Sequence, residues 1–241
     1  MAQQQQAQDP LETGVISPGC SICGKRQYGP GPNGRMSRGG LPPRCCACGS
    51  LERHRRLRTI YGAMPGQWLA GLSVLQLSPD IGVDPGWFRS FEISEYGGDN
   101  SLDLENIARS DQSYDLVICN HVLEHVADDS RGFRELLRVA RSLVQITVPT
   151  PFTRSITVDW GYPKPEAHGH YRGYGRDVLE MFLAAEPKAH TIQVEAVDPV
   201  TEEGDYIYLC SRDLDLLRRL VPLGRHSKLS SRSVTRAPDS G

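Results

Sequence analysis

From residue 72 onward, short apolar runs alternate with amphipathic helical patterns. Strands are predicted at residues 72–77, 91–94, 114–120 and 142–149, and two more at TIQVEAVDPV and 205–210. Helices are predicted over 128–141 and 175–185, where apolar residues recur at helical spacing. This alternation predicts an α/β fold, with a mostly parallel sheet, helices on both faces and a closing antiparallel hairpin. Ligands of such sheets bind outside the carboxyl ends of the strands.

The composition indicates a soluble globular protein. The 241 residues are 39% hydrophobic and 23% charged, and no apolar run approaches the length of a membrane span. The first residues, MAQQQQAQDP, lack the basic and apolar regions of a signal peptide, so we expect a cytoplasmic protein without membrane partners.

Charge is distributed unevenly along the chain. Residues 1–58 carry nine Lys/Arg against three Asp/Glu, residues 59–210 eleven against 23, and residues 211–241 seven against three. The large middle segment is therefore acidic, which disfavours nucleic acid as a partner of the core.

Five of the seven cysteines lie in residues 20–48 and form two C-x2-C pairs separated by 21 residues. Two such turns supply the tetrahedral shell of four thiolates that structural zinc prefers. A cytosolic setting disfavours the alternative of two disulfides. A shell of four cysteines leaves no open position, so the zinc is predicted to be structural. The predicted ligands are Cys20, Cys23, Cys45 and Cys48, with Cys46 as an alternative to Cys45.

These features divide the chain into four parts. Residues 1–15 are predicted to be a disordered tail, and residues 16–58 a zinc-knuckle segment that ends in a basic helix capped by Ser50. Residues 59–212 form the α/β domain, and residues 213–241 a short helix with a disordered basic tail.

The basic helix contains the charge run Glu52–Arg58. It is either a solvated helix face or a basic patch for an acidic substrate. If Arg53, Arg55 or Arg56 faces the ligand-binding site, an anionic substrate is favoured.

The segment YDLVICNHVLEHVADD (114–129), followed by RELLRVA, resembles class I S-adenosylmethionine-dependent methyltransferases of the methyltransferase domain 11 type. The CxxC pairs leading into CGSLERHR (48–55), together with HGHYRGYG (168–175), resemble a bacterial subset with an N-terminal zinc-knuckle segment. The resemblance covers about residues 20–210. It implies a Rossmann-like sheet of seven strands, S-adenosylmethionine as cofactor, and methyl transfer. The family's Gly-rich loop after the first strand is replaced here by LSPDIG.

The same resemblance implies a set of cofactor-binding residues. Glu95, with Glu92 as the competing choice, falls where an acid accepts the ribose hydroxyls, and Asp103 falls where a carboxylate takes the adenine amino group. Asn120 and His121 lie at the end of the strand predicted at 114–120, below the transferable methyl group. The first loop contributes Ser78, Pro79 and Asp80. Each acid could instead be an ordinary charge on a solvated loop.

On a helix, His121, Glu124 and His125 would share one face and could converge on a cation. The H-x-x-E-H pattern of inverted zinc proteases needs a longer helix than this segment allows. A Mg²⁺ site is a second interpretation, because ubiquinone-pathway O-methyltransferases have similar side chains at matching positions. The favoured interpretation is that Glu124 and His125 hold the short helix and its loops together by hydrogen bonds.

Methyl transfer to oxygen needs a base that removes the acceptor's proton. His121 is the first candidate, and His168 and His170, in the loop after the strand predicted at 142–149, are the next. Tyr171, Arg172 and Tyr174 either bind an acidic or sugar acceptor or pack their own loop.

Three functions follow from these patterns. The first is a methyltransferase acting on oxygen or nitrogen of a small-molecule or glycan acceptor. The second is an RNA or protein methyltransferase that docks through the zinc-knuckle segment and the basic ends. The third is a degenerate, non-catalytic zinc-binding interaction module.

Overall fold

The computed structural model describes residues 18–149 and 154–220. The tails predicted to be disordered, residues 1–15 and 222–241, lie outside the described residues. In chain order, the described elements are β1 (Tyr28–Gly29), β2 (Arg44–Cys45), α1 (Glu52–Gly62), α2 (Gly66–Leu69), β3 (Ser73–Leu77), β4 (Ser90–Ser94), β5 (Tyr114–Asn120), α3 (Asp129–Val139), β6 (Ala140–Thr147), β7 (Val158–Lys164), β8 (His170–Gly173), α4 (Val178–Ala185), β9 (His190–Val197), β10 (Gly204–Ser211) and α5 (Leu214–Leu220).

The central sheet has the strand order β4-β3-β5-β6-β10-β9. Strands β4, β3, β5 and β6 run parallel, while β10 is antiparallel to both β6 and β9. The structure thus confirms the predicted α/β architecture and its closing hairpin. Within the described ranges the sheet has six strands rather than seven. After β4 the chain forms turns, with an isolated bridge between Asp103 and Asn106 in place of a further strand.

Helices cover both faces of the sheet, because the central strands are apolar on both sides. In β5, Leu116 and Ile118 pack in one hydrophobic cluster and Val117 and Cys119 in the other. The first cluster includes side chains of α1 and α5, and the second includes those of α3 and α4. In the described ranges, no helix has both the length and the apolar character needed to cross a membrane.

The residues before α1 form a small unit, here called the cap (residues 18–50), built around the antiparallel pair β1–β2. Ser50 does not cap α1 as predicted. The side chain of His54 accepts the Leu51 N–H at Nδ1, at 3.0 Å. Ser50 Oγ instead lies 3.2 Å from the Sγ atoms of Cys20 and Cys48. The Ser50 hydroxyl, which was predicted to cap α1, therefore contacts the cysteine cluster instead.

The charge run of α1 is largely buried rather than solvated. Arg55 and Asp198 are both fully buried and make a two-point ion pair, with N–O distances of 2.7 and 2.8 Å. Arg55 also donates to the Ser50 carbonyl at 3.0 Å. Asp198 lies in the β9–β10 connection, so this one pair fastens the end of the cap and α1 to the sheet.

Candidate functional site

A cavity of about 710 Å³ opens at the carboxyl ends of β3, β4 and β5. This is the edge of a parallel sheet at which ligands bind. Five of the seven predicted cofactor-binding residues line it. They are Ser78, Pro79, Glu95, Asp103 and His121.

The loop after β3 forms its turn at a serine rather than at a glycine. Ser78 adopts a left-handed backbone with φ of 69°, a conformation that glycine adopts at less cost. Its N–H donates to the Ser94 carbonyl at 2.8 Å, and the Gln76 side chain donates to the Ser78 and Asp80 carbonyls at 3.1 and 3.2 Å. The Asp80 carboxylate accepts the Gly82 N–H and lies 3.7 Å from His54 Nε2. Asp80 does not line the cavity.

Glu92 and Glu95 differ in their contacts. Glu92 is occupied by an ion pair with Arg109 at 2.5 Å and by a hydrogen bond from the Tyr114 hydroxyl at 2.5 Å. These contacts outweigh its partial burial and hold the pKa of Glu92 below its usual range. Glu95 is exposed and lines the cavity, as does Asp103. Glu95 is therefore the carboxylate available to a ligand.

The adjacent residues Asn120 and His121, at the end of β5, lie in different environments. The Asn120 side-chain oxygen accepts hydrogen bonds from Gln145 and Thr147, both at 2.9 Å, and Asn120 does not line the cavity. His121 has a left-handed backbone with φ of 53°. Such a conformation is costly for a non-glycine residue and is common at functional sites. His121 lines the cavity.

The segment after His121 forms a single 3-10 turn, Leu123–His125, instead of the α-helix considered from the sequence. The Glu124 side chain is fully buried, and its two oxygens have no hydrogen-bond donor. His121 Nδ1 lies 3.3 Å from Glu124 Oε1. The ligand atoms of Glu124, His125 and His170 lie within 4.8 Å of one another.

The segment after β6 contains the hairpin of β7 and β8. Arg172 is buried and donates to the carbonyls of Val126 and Ala127 at 2.8 and 2.6 Å. The Tyr174 hydroxyl donates to Asp129 at 2.8 Å. Arg172 and Tyr174 thus bind the neighbouring segment 123–129 rather than their own loop and do not line the cavity, whereas Tyr171 does. His168 and His170 do not line it, and burial lowers the pKa of His170.

Four cysteines of the cap converge. The Sγ atoms of Cys20 and Cys48 are 3.7 Å apart, and those of Cys23 and Cys45 are 3.5 Å apart. Four sulfurs bound to zinc at about 2.3 Å would lie about 3.8 Å from one another, so this set fits a tetrahedral ion. Each turn closes on a glycine with positive φ, Gly24 and Gly49. Cys46 is exposed and outside the cluster, which favours Cys45 as the fourth ligand.

A second cavity, of about 260 Å³, lies on the other side of His121. Its wall is formed by the cap, α1 and the turn before β10, and His121 is the residue that lines both cavities within the described part of the chain. The cationic members of its lining are Arg35, Arg38, Arg53 and Arg56. Three of its acidic members are Glu52, Glu203 and Asp205.

These arginines differ in their availability. Arg35 forms a two-point pair with Glu52 at 2.8 and 2.7 Å, and Arg56 donates to the Glu203 carbonyl at 3.0 Å. Arg53 is exposed, and no carboxylate of the described residues lies within ion-pair distance of it. Arg53 is therefore well placed to meet an anion in this cavity.

Several lining residues were not predicted from the sequence. Tyr96 is 83% exposed and lines the first cavity directly after Glu95, where an exposed aromatic next to a strand-ending acid was the available signal. Arg35 and Arg38 lie in a Gly- and Pro-rich segment that carries no periodic pattern, so their placement depends on how the cap folds.

One family model matches part of the chain. Residues 98–145 match the family model described as a methyltransferase domain. This stretch contains Asp103, His121 and Glu124 together with β5 and α3. Among curated proteins, no relative matches the chain.

Several solved structures are similar to the chain at low identity. An S-adenosylmethionine-dependent methyltransferase from Mesorhizobium loti aligns with 12% identity over 64% of this chain and 95% of its own, with a TM-score of 0.44. The 1,6-didemethyltoxoflavin-N1-methyltransferase of Burkholderia thailandensis, solved with that compound and S-adenosylhomocysteine, aligns with 12% identity over 65% and 77%, with a TM-score of 0.43. The magnesium protoporphyrin IX methyltransferase of Synechocystis PCC 6803 aligns with 11% identity over 67% and 84%, with a TM-score of 0.42.

Proposed function

We propose that this protein is an S-adenosylmethionine-dependent methyltransferase that acts on oxygen or nitrogen of a small anionic acceptor, such as an acidic metabolite or sugar derivative. One observation carries the proposal. Residues assigned to the cofactor from the sequence line one cavity at the carboxyl ends of parallel strands, within and beside the stretch that matches a methyltransferase domain.

The polar and aromatic side chains that line the first cavity suit this cofactor. The cofactor supplies an electrophilic methyl group on a sulfonium sulfur. Glu95 can accept hydrogen bonds from the ribose hydroxyls, Asp103 can accept one from the adenine amino group, and Tyr96 offers an aromatic face beside them. The carboxylates also favour a ligand that is cationic at its reacting centre.

His121 is the group we assign to proton transfer. It lies between the two cavities, so its imidazole reaches both the cofactor side and the acceptor side. The buried Glu124 carboxylate, 3.3 Å from His121 Nδ1, would stabilise the imidazolium that forms when His121 takes the acceptor's proton. His168 and His170, the other candidates from the sequence, stand outside the cavity lining.

The second cavity supports an anionic acceptor. A carboxylate or phosphate there would meet Arg53 directly and could share the guanidinium of Arg35, whose side chain is 44% exposed. The cap supplies part of this wall, and we propose that structural zinc at Cys20, Cys23, Cys45 and Cys48 holds the cap in shape.

The cofactor assignment is tested by calorimetry with S-adenosylhomocysteine. Glu95→Gln removes the charged acceptor of the ribose hydroxyls, so the dissociation constant should rise about ten- to hundredfold. Asp99→Asn is the matched control, because Asp99 is an exposed acid of the same loop that does not line the cavity. No binding by the wild-type protein at millimolar cofactor would exclude the enzyme and favour the non-catalytic zinc-binding module.

The catalytic assignment is tested by turnover with a panel of small carboxylates, phosphosugars and hydroxy compounds, read out as S-adenosylhomocysteine formed. His121→Asn keeps a side chain that tolerates the left-handed backbone but removes the base. Turnover should fall about 10²–10⁴-fold with unchanged cofactor affinity. Near-normal turnover in His121→Asn would leave positioning alone as the mechanism. Methylation of RNA or protein, but of no small molecule, would favour the macromolecular alternative.

A further inference from the structure

The fully buried carboxylate of Glu124 has no compensating hydrogen bond. Both of its oxygens lack a donor, although His121 Nδ1 lies 3.3 Å from one of them. A buried, unpaired carboxylate costs several kcal/mol in a folded protein, so such groups bind a cation or a proton. The 3.3 Å contact with His121 reaches only one of the two oxygens, so the Glu124 carboxylate favours a further cation nearby.

Two imidazoles from different elements meet at the same carboxylate. His125 ends the 3-10 turn that contains Glu124, and His170 begins β8 of the hairpin. Their ring centroids are 4.6 Å apart, and one ligand atom from each of the three residues falls within 4.8 Å of the others. That separation is compatible with three ligands around one ion at ordinary metal–ligand distances.

We propose that Glu124, His125 and His170 form a binding site for a divalent first-row transition metal. One carboxylate and two imidazoles are a donor set that such ions prefer, whereas Mg²⁺ prefers oxygen ligands and water. His125 is exposed, so the coordination sphere is open on that side to water or a small ligand. This site is separate from the four-cysteine cluster. It shares Glu124 with the proton-transfer role proposed for His121, but metal binding does not itself require methyl transfer.

The site differs from the His121–Glu124–His125 arrangement considered from the sequence. Because residues 123–125 form a 3-10 turn, the helical spacing that would bring those three side chains together is absent. The third ligand comes instead from the hairpin, at His170. A bound ion would therefore link the hairpin to the wall of the first cavity, which His125 lines. It would also remove His170 from the candidates for proton transfer.

Cobalt provides a direct probe of this site. Full-length protein that holds one equivalent of zinc is titrated with Co²⁺ and followed by calorimetry and visible absorption. We expect a second equivalent to bind, with weak d–d bands and without the sulfur-to-metal charge-transfer absorption of a cysteine site. Millimolar Mg²⁺ should not displace it, while Zn²⁺ should compete.

His170→Ala and Glu124→Gln should each weaken the second binding event at least about tenfold, and His190→Ala, an exposed histidine on β9, should not. Thermal unfolding gives a readout that does not depend on the spectrum. Added Co²⁺ should raise the Tm of the zinc-loaded wild type but not that of His170→Ala, even if Glu124→Gln folds poorly. A wild type that binds no second equivalent, or a His170→Ala variant that binds as tightly as the wild type, would overturn the proposal.

Discussion

The first cavity is lined by loops that follow parallel strands, whereas the second is lined mainly by the cap and α1. The first has acidic residues, Glu95 and Asp103, on a wall set by the sheet. The second has four arginines, two of which come from a segment without a hydrophobic core of its own. His121 lies between them. The proposed cofactor and acceptor sides are thus built by different means, one by burial of apolar surface and one by cysteines and ion pairs.

This difference predicts that a substitution can disrupt the structure of one region and leave the other folded. The sheet is stabilised by two large apolar clusters that do not include the cysteines of the cap. The cap is stabilised by the cysteine cluster and by pairs that reach across to α1 and the sheet, such as Arg35–Glu52 and Arg55–Asp198. A change in the cap should therefore leave the cofactor side in place.

The largest effect is expected from loss of the metal. Cys45→Ser should remove zinc and unfold the cap, because structural zinc contributes about 10–16 kcal/mol in small zinc-dependent units. Hydrogen exchange measured by mass spectrometry should show lost protection over residues 18–50 and retained protection in β5 and β6. Affinity for S-adenosylhomocysteine should stay within about threefold, since the first cavity includes no cap residue.

Cys46→Ser is the matched control for this experiment. Cys46 is adjacent to Cys45 but exposed and outside the cluster, so zinc content and protection should be unchanged. Zinc retained by Cys45→Ser, or lost by Cys46→Ser, would contradict the assignment of ligands.

The next effect concerns the connection between the two regions. Asp198→Asn leaves the Arg55 guanidinium buried without its counter-charge, so the free energy of unfolding should fall by about 3–5 kcal/mol. Denaturant unfolding measures it. Asp215→Asn breaks an Arg218–Asp215 pair whose side chains are 69% and 74% exposed, and it should change stability by less than about 0.5 kcal/mol. Equal effects of the two substitutions would show that the buried pair does not join cap and sheet.

The same contrast explains what the sequence could predict. The strand predicted at residues 114–120 coincides with β5. A short, nearly continuous apolar run is typical of a parallel strand that is buried on both faces. The C-x2-C spacing likewise predicted the cysteine cluster, since local turns bring each pair together. Both depend on short-range geometry.

Long-range contacts could not be predicted in this way. Nothing local in the sequence indicates that Arg55 is buried against Asp198, 143 residues away. The same holds for His170, which reaches Glu124 through the β7–β8 hairpin, a pairing that the loop composition HGHYRGYG did not indicate. The cationic wall of the second cavity depends on how the cap packs against α1, so it emerged only from the structure.

A smaller effect is expected from pH, through His54 at the base of α1. Burial lowers the pKa of His54 to about 4, against the opposing influence of Asp80. The unfolded chain takes up a proton at His54 below about pH 6.5, while the folded protein does not until about pH 4, so stability falls as pH decreases through this window. The loss is on the order of 1–3 kcal/mol. Unfolding free energy measured from pH 7 to 4 should fall less steeply in His54→Gln than in the wild type; identical slopes would refute the role of His54.

The smallest effect is expected on the acceptor side, at Arg53. Pyrophosphate serves as a probe anion, titrated by calorimetry into protein saturated with S-adenosylhomocysteine. Arg53→Ala removes the exposed guanidinium that has no carboxylate partner in the described residues, so binding should weaken about tenfold, the lower end for a charge-assisted hydrogen bond at an open site. Arg44→Ala, an exposed cap arginine outside both cavities, should leave binding unchanged. If the two variants lose affinity equally, the anion is attracted by the overall charge of the cap and the second cavity is not its site.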